Sequence, residues 1–181
     1  FFQMARELGY DSFAPTVREL GLGQTFELPF PSQRYGTVPD SAWKRRKYDT
    51  DWTVADSINA SIGQGYVLAN PMQLAVMAAR IAGGRQVVPR LLLDEAHSAA
   101  PPLDIPQEYL EIIRHGMWSV VNGGGTGGWN SRLQVPGIEI AGKTGTAQVR
   151  RITAAERATG VLRDSQLPFR LRDHSLFVCY A

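Results

Sequence analysis

The sequence predicts a mixed α+β fold, helices first and a pair of strands towards the end. Three observations carry this. Apolar residues recur at helical spacing in two long segments, 70–84 and 106–122. Ile138 and Ile140 alternate before the run AGKTGTAQV, residues 141–149, as a strand would. A second strand candidate, HSLFVCYA, follows at 174–181. A length of 181 residues suits one domain or a large part of one, and a hydrophobic content of 44% allows a sizeable core.

Taken in order, FFQMARELGYDS predicts a helix with Phe2, Ala5 and Leu8 on one face, stopped near Gly9. APTVRELGLGQ reads as a second short helix ending at Gly21. From Thr25 to about Asp51 the text is Pro-rich, aromatic and basic without clear periodicity, and is expected to be a long irregular surface loop. Its run Lys44-Arg45-Arg46-Lys47 reads as a solvated face. Gly63-Gln64-Gly65 is a tight turn, either the entry to a helix or the wall of a site.

Asn70 is a natural N-cap, and Pro71 fits the first helical position, where its missing N–H costs nothing. Leu74, Met77, Ala78 and Ile81 then repeat at helical spacing, and Gly83-Gly84 supplies the stop. Few charges interrupt this segment, which predicts a buried helix. After a Pro/Ala-rich linker at 98–106, PQEYLEIIRHGMWSVVN reads as an amphipathic helix. Its core face holds Leu110, Ile113, Met117 and Val120, with His115 off that face. NGGGTGG, residues 122–128, is expected to be a flexible hinge or turn. It lacks the Gly-Lys-Ser/Thr ending of a phosphate-binding loop. Residues 149–173 carry six arginines against three acids and read as an exposed insertion between the two strands. Cys179, in an apolar run, is expected to be a buried structural thiol.

Composition also excludes. A net charge of +2 with pI near 8.9 is too mild a basic bias to argue for nucleic acid. Three histidines and one cysteine make neither a Cys/His metal cluster nor an internal disulfide, and no metal or organic cofactor is expected. No apolar run approaches a membrane span, and no signal peptide is visible. The chain lacks an initiator methionine and ends on an apolar run, so both ends look cut from a longer protein.

AGKTGTAQV puts a lysine, two threonines and two glycines into one short strand, a lining suited to an anionic ligand. In a flat strand Lys143 and Gly145 fall on one side and Thr144 and Thr146 on the other. They converge only if the strand bounds a cleft edge-on. Gly145 would let a ligand approach the backbone, whose N–H groups would serve a developing oxyanion. The threonine hydroxyls would hold a carboxylate, and Lys143 would supply positive charge or move a proton.

Lys-Thr-Gly is the third signature of penicillin-binding proteins and class A β-lactamases, after Ser-x-x-Lys and Ser-Asp-Asn. AGKTGTAQV resembles that strand. SIGQGYVLANPMQLA resembles the Gly-Gln-Gly and Pro-x-Gln-Leu segment of class B penicillin-binding proteins, with Asn70 where they usually have threonine. VPDSAWKRRKYD and LPFRLRDHSLFVCYA resemble segments of the elongation type, penicillin-binding protein 2. The resemblance implies a three-layer α/β/α sandwich with an antiparallel sheet, related to serine β-lactamases. Residues 1–181 would be the C-terminal part of a single transpeptidase domain, with the exposed insertion at about 149–173.

The activity implied is peptidoglycan D,D-transpeptidation through a serine acyl-enzyme, with β-lactams acylating the same site. Carried onto this sequence, Lys143 and Thr146 would be catalytic and Thr144, Gly145 and Thr146 would bind substrate, with no metal. The implied partners are stem peptides, β-lactams, a membrane glycosyltransferase and other cell-wall elongation proteins. The implied place is the periplasmic face of the bacterial inner membrane, anchored by a segment outside this chain. A serine β-lactamase, a D,D-carboxypeptidase and an inactive scaffold of the same fold are the rival readings.

Two further matches, Ser41-Ala42-Trp43-Lys44 and Ser57-Ile58-Asn59, would complete an apparent triad. Both read as decoys. A nucleophilic serine needs its lysine partly desolvated, whereas Lys44 heads a basic run expected to keep water close. Ser41 reads as a loop residue, and Ser57 as part of the turn Ala55-Asp56-Ser57. FFQMARELG resembles the helix that directly follows Ser-x-Asn in the family, which puts the nucleophile upstream. The chain would thus hold the receiving wall of the site and lack its attacking group.

Overall fold

The computed structural model describes residues 1–29, 34–92 and 99–181. Helices α1 (Phe2–Leu8) and α2 (Ala14–Glu19) open the chain, then come α3 (Ser41–Tyr48), α4 (Val54–Ala60), α5 (Pro71–Gly83) and α6 (Gln107–Asn122). Strand β1 (Ala141–Ala147) pairs antiparallel with β2 (His174–Tyr180) across a segment containing the short helix α7 (Ala154–Thr159). α5 packs against β2 and α6, and α6 against β1, so both long helices back the sheet.

Local chemistry explains most of the boundaries. Asn70 caps α5, its side chain accepting from the Gln73 N–H at 2.8 Å while Gln73 reaches back to the Asn70 N–H. Gly84 closes the helix at φ 64°, where a Cβ would be strained. α5 is buried along Gln73, Val76, Ala78, Arg80 and Ile81. In α6 the core face is Leu110, Met117 and Val121, while Ile113 stays exposed and Val120 half-buried. In α1, Ala5 is buried, and Phe2 and Leu8 of its predicted face are exposed.

Two small cores result. Tyr10, Ala14, Val38 and Ala60 make one, with Phe13, Val17, Leu22, Trp52 and Val67 around it. Ile81, Met117 and Ala141 make the other, joined by Leu20, Met77 and Tyr180. Arg80 lies between α2 and α5, 3% exposed. Its guanidinium donates to the carbonyls of Val87 and Glu19 and to Gln24 Oε1. Burial lowers its pKa and Glu19 acts against that.

The expected loop from Thr25 to Asp51 contains helix α3, and of that span residues 30–33 lie outside the described residues, as does residue 98 of the predicted linker. The helix starts because Asp40 caps it, accepting from the Trp43 N–H at 2.6 Å. The basic run is not a solvated face throughout. Lys44 is buried, its ammonium 2.6 Å from Asp56 and lying over the ring of Tyr66, while Lys47 lies over Trp43. Ala55-Asp56-Ser57 lies inside α4, which starts from a Thr53–Asp56 capping box, and is no turn. Cys179 is exposed, contrary to the buried thiol expected.

Candidate active site

β1 sits opposite β2 in the register Lys143–Val178, Thr144–Phe177, Gly145–Leu176 and Thr146–Ser175. Ala141 packs with Ile81 of α5 and Met117 of α6. By alternation Lys143 and Gly145 share that side of the strand, and Thr144 and Thr146 the other. The backbone settles how they meet. Lys143 Nζ donates to the Thr144 carbonyl at 2.7 Å, and Gln64 Nε2 donates to the Thr146 carbonyl at 3.1 Å. Carbonyls and N–H groups of alternate residues point away from the paired strand. These two threonines therefore present their main chain on the outer edge of β1, and the flexible lysine curls round to it.

At the end of β1 a cleft of about 630 Å³ is lined by Asn59, Gln64 and Tyr66 on one wall and Ala147, Gln148 and Arg151 on the other. Gly63-Gln64-Gly65 thus follows the exit of α4 and lines this cleft; it is not the entry to a helix. Along β1 itself Lys143, Gly145 and Thr146 are exposed and Thr144 is half-buried. Thr144 Oγ1 lies 2.8 Å from Thr126 Oγ1, in the glycine-rich loop after α6. Sequence reading passed over Thr126 as part of a hinge. Its one signal was a lone hydroxyl set among glycines.

The serines of the two apparent motifs are engaged elsewhere, although Asn59 of the second lines the cleft. Ser41 is the first residue of α3, and its hydroxyl donates to the Asp11 carboxylate. Lys44 is three residues on, in the helical position a Ser-x-x-Lys pair would need. It is a salt-bridged cation, which leaves it no lone pair to act as base. Burial tends to raise the Asp56 carboxyl, but hydrogen bonds from Lys44 and Thr53 win and hold it below its ordinary value. Ser57 is buried in α4, its hydroxyl accepting from Trp52 Nε1 at 2.8 Å and from the Tyr10 N–H at 3.2 Å. The ground for expecting a decoy at Lys44, persistent water, is therefore replaced by a buried ion pair. Among the described residues no cluster of His, Cys, Asp and Glu is arranged to hold a metal.

Known proteins share this arrangement. Residues 1–162 match the family described as "Penicillin binding protein transpeptidase domain". Peptidoglycan D,D-transpeptidase MrdA of Acinetobacter baumannii is 33% identical over 194 aligned positions, covering 100% of this chain and 27% of that protein. The MrdA of Escherichia coli K12 is 30% identical, covering 100% of this chain and 30% of that protein. Among solved structures, the penicillin-binding protein PBP2 of Helicobacter pylori in its complex with MreC superposes with a TM-score of 0.81 at 30% identity, over 98% of this chain and 30% of that one. Pseudomonas aeruginosa PBP2 in complex with WCK 5153 gives a TM-score of 0.73 at 29% identity, over 100% of this chain and 38% of that one. The chain spans 27–30% of the length of these curated relatives. With helices backing an antiparallel pair that carries Lys-Thr-Gly on its outer edge, the chain belongs to the penicillin-binding protein transpeptidase family, as part of that family's α/β/α domain.

Proposed function

We propose that this chain is the C-terminal part of a peptidoglycan D,D-transpeptidase domain of the penicillin-binding protein 2 type, and that β1 is the receiving wall of its acyl-transfer site. The observation that carries this is the outer edge of β1. Lys143, Gly145 and Thr146 stand exposed along β1, whose last residue Ala147 lines an open cleft together with Gln64, the donor to the Thr146 carbonyl, in a chain whose relatives are transpeptidases.

The chemistry follows from that edge. A serine from outside residues 1–181 attacks the D-Ala-D-Ala carbonyl. Its C–N bond breaks, terminal D-Ala leaves with the proton, and an ester to the serine remains. An amine from a neighbouring stem peptide then forms the new C–N bond and releases the serine. At each step the carbonyl oxygen becomes an oxyanion, and the Thr146 N–H, on the open side of β1, donates to it. Thr144 and Thr146 hydroxyls hold the substrate carboxylate, Lys143 adds positive charge and serves proton transfer, and Gly145 keeps the strand approachable. β-Lactams acylate the same serine.

The H. pylori PBP2–MreC complex supports elongation proteins as partners, to which we add a membrane glycosyltransferase. No helix among the described residues is long and apolar enough to cross a membrane, so the anchor to the periplasmic face of the inner membrane would be a segment outside this chain.

Labelling of the full-length protein with a fluorescent penicillin tests the reading. Lys143→Ala is expected to slow labelling by about a hundredfold or more. The label should map outside residues 1–181, and acylation at Ser41 would refute its assignment as a decoy. Rapid turnover of a chromogenic cephalosporin would favour a hydrolase over a transpeptidase.

A further inference from the structure

We propose that Thr126 is a positioning residue, directing the Thr144 hydroxyl proton at the substrate carboxylate. This rests on the reading above that Thr144 binds that carboxylate.

The glycine-rich loop is not a free hinge. It folds back onto the last turn of α6, with the Gly123 and Gly125 N–H groups donating to the Ser119 carbonyl at 3.0 and 3.2 Å and the Gly127 N–H donating to Val120 at 3.0 Å. Asn122 Nδ2 donates to the Ile140 carbonyl at 3.0 Å, just before β1, and Arg132 Nη2 donates to the Asn122 carbonyl at 2.7 Å. On either side of Thr126 the backbone lies too close to α6 for a side chain. A Cβ on Gly125 would be 2.6 Å from Val120 Cα, and one on Gly127 would be 2.9 Å from the Val120 carbonyl oxygen. The glycines let the loop lie flat, and the residue between them carries a hydroxyl to 2.8 Å from Thr144 Oγ1.

Burial does not demand this contact. Thr126 is exposed and Thr144 only half-buried, so water would satisfy either hydroxyl. What the contact controls is direction. A threonine hydroxyl has one proton and two lone pairs. If Thr144 donates to Thr126, its proton is taken up by that contact and is withheld from any ligand. If Thr126 donates to Thr144, the Thr144 proton is free, and the chain of two hydroxyls polarises it toward an acceptor. A carboxylate is acceptor-only and selects the second arrangement. Thr126 thus acts on the substrate through Thr144.

The test compares acylation rates of the full-length protein by benzylpenicillin and by its methyl ester, which lacks the anion. Thr126→Val keeps the shape and removes the hydroxyl. It is expected to lower the rate for the free acid about five- to tenfold and leave the ester within about twofold. Thr126→Ser should restore the acid rate, because the hydroxyl returns. An unchanged acid rate in Thr126→Val, or an equal fall for acid and ester, overturns the proposal, since a structural role would move both. Thr144→Val separates the two levels. If it lowers the acid-to-ester ratio while Thr126→Val does not, only the role of Thr126 fails. If Thr144→Val leaves the ratio unchanged, the carboxylate reading falls and takes the proposal with it.

Discussion

At Gly142 an added Cβ would sit 2.7 Å from the Phe177 ring, 2.9 Å from the Val178 carbonyl oxygen and 3.0 Å from Cys179 Cβ. At Gly145, three residues along the same strand, the nearest atom to such a Cβ is Leu176 Cβ at 3.8 Å, an ordinary contact. One glycine is required by packing, and the other is not. Gly142→Ala should therefore destabilise the domain by about 1–3 kcal/mol, read from denaturant midpoints. Gly145→Ala should leave the midpoint unchanged and, if the ligand lies against β1 as proposed, slow penicillin labelling about tenfold by adding a methyl to the strand it approaches. Equal effects of the two variants on stability would remove the reason for placing Gly145 at the ligand. The sequence shows both glycines, but their difference depends on Phe177 and Cys179, more than thirty residues away. Thr144 and Thr146 were legible because Lys-Thr-Gly-Thr is local. Thr126 was not, because its meeting with Thr144 requires α6 to end where it does.

At the scale of elements, α3 shows why a polar helix escapes a hydrophobic-periodicity reading. Its residues are SAWKRRKY, and its one buried residue is a lysine. The helix forms because Asp40 caps it, and it docks because Lys44 finds Asp56 on α4, two facts no period reveals. The pair links stability to acidity. Asp56 titrates near 3.9 when unfolded, and the fold holds it lower. Its contribution is therefore fully present above that unfolded value, and is lost as pH falls through the lower folded value. Stability measured by denaturation should decline on acidification below about pH 4, and Asp56→Asn should flatten that decline. At neutral pH the same substitution leaves Lys44 buried without its anion and should cost about 3 kcal/mol. An unchanged acid limb would show that other carboxylates set it. The ends of α5, by contrast, were readable, since Asn70, Pro71 and Gly84 are all local signals, but of its predicted face Ala78 and Ile81 are buried while Leu74 and Met77 are half-buried.

At the scale of the molecule, α5 joins the halves of the structure. It packs on β2 and α6, and Arg80 reaches from it to the end of α2 and to Gln24 and Val87. Replacing Arg80 by Met strands three partly buried acceptors and should cost about 3 kcal/mol. Arg80→Lys should rescue little, because an ammonium cannot span three acceptors set for a planar fork. Thermal unfolding checks both, and a full rescue by lysine would make the charge, not the geometry, the stabilising property. The arrangement of helices behind the sheet was expected from family resemblance. The Arg80 knot was not, since a cation in an apolar helix gives no sign of which distant carbonyls it will meet.

The outer edge of β1 carries a further consequence in its two side-chain hydrogen bonds. A bare strand edge attracts any extended chain, including a second copy of the same protein, and invites aggregation. Here Lys143 and Gln64 already hold the two outward carbonyls, so a stray strand must break hydrogen bonds to make equivalent ones and gains little. On the carboxylate-binding role proposed for the threonines, a guest that also brings an anion would recover the difference. The same two side chains that make the edge less inviting to a second copy would thereby favour a peptide ending in a carboxylate over one that does not, if the threonines have the role proposed above.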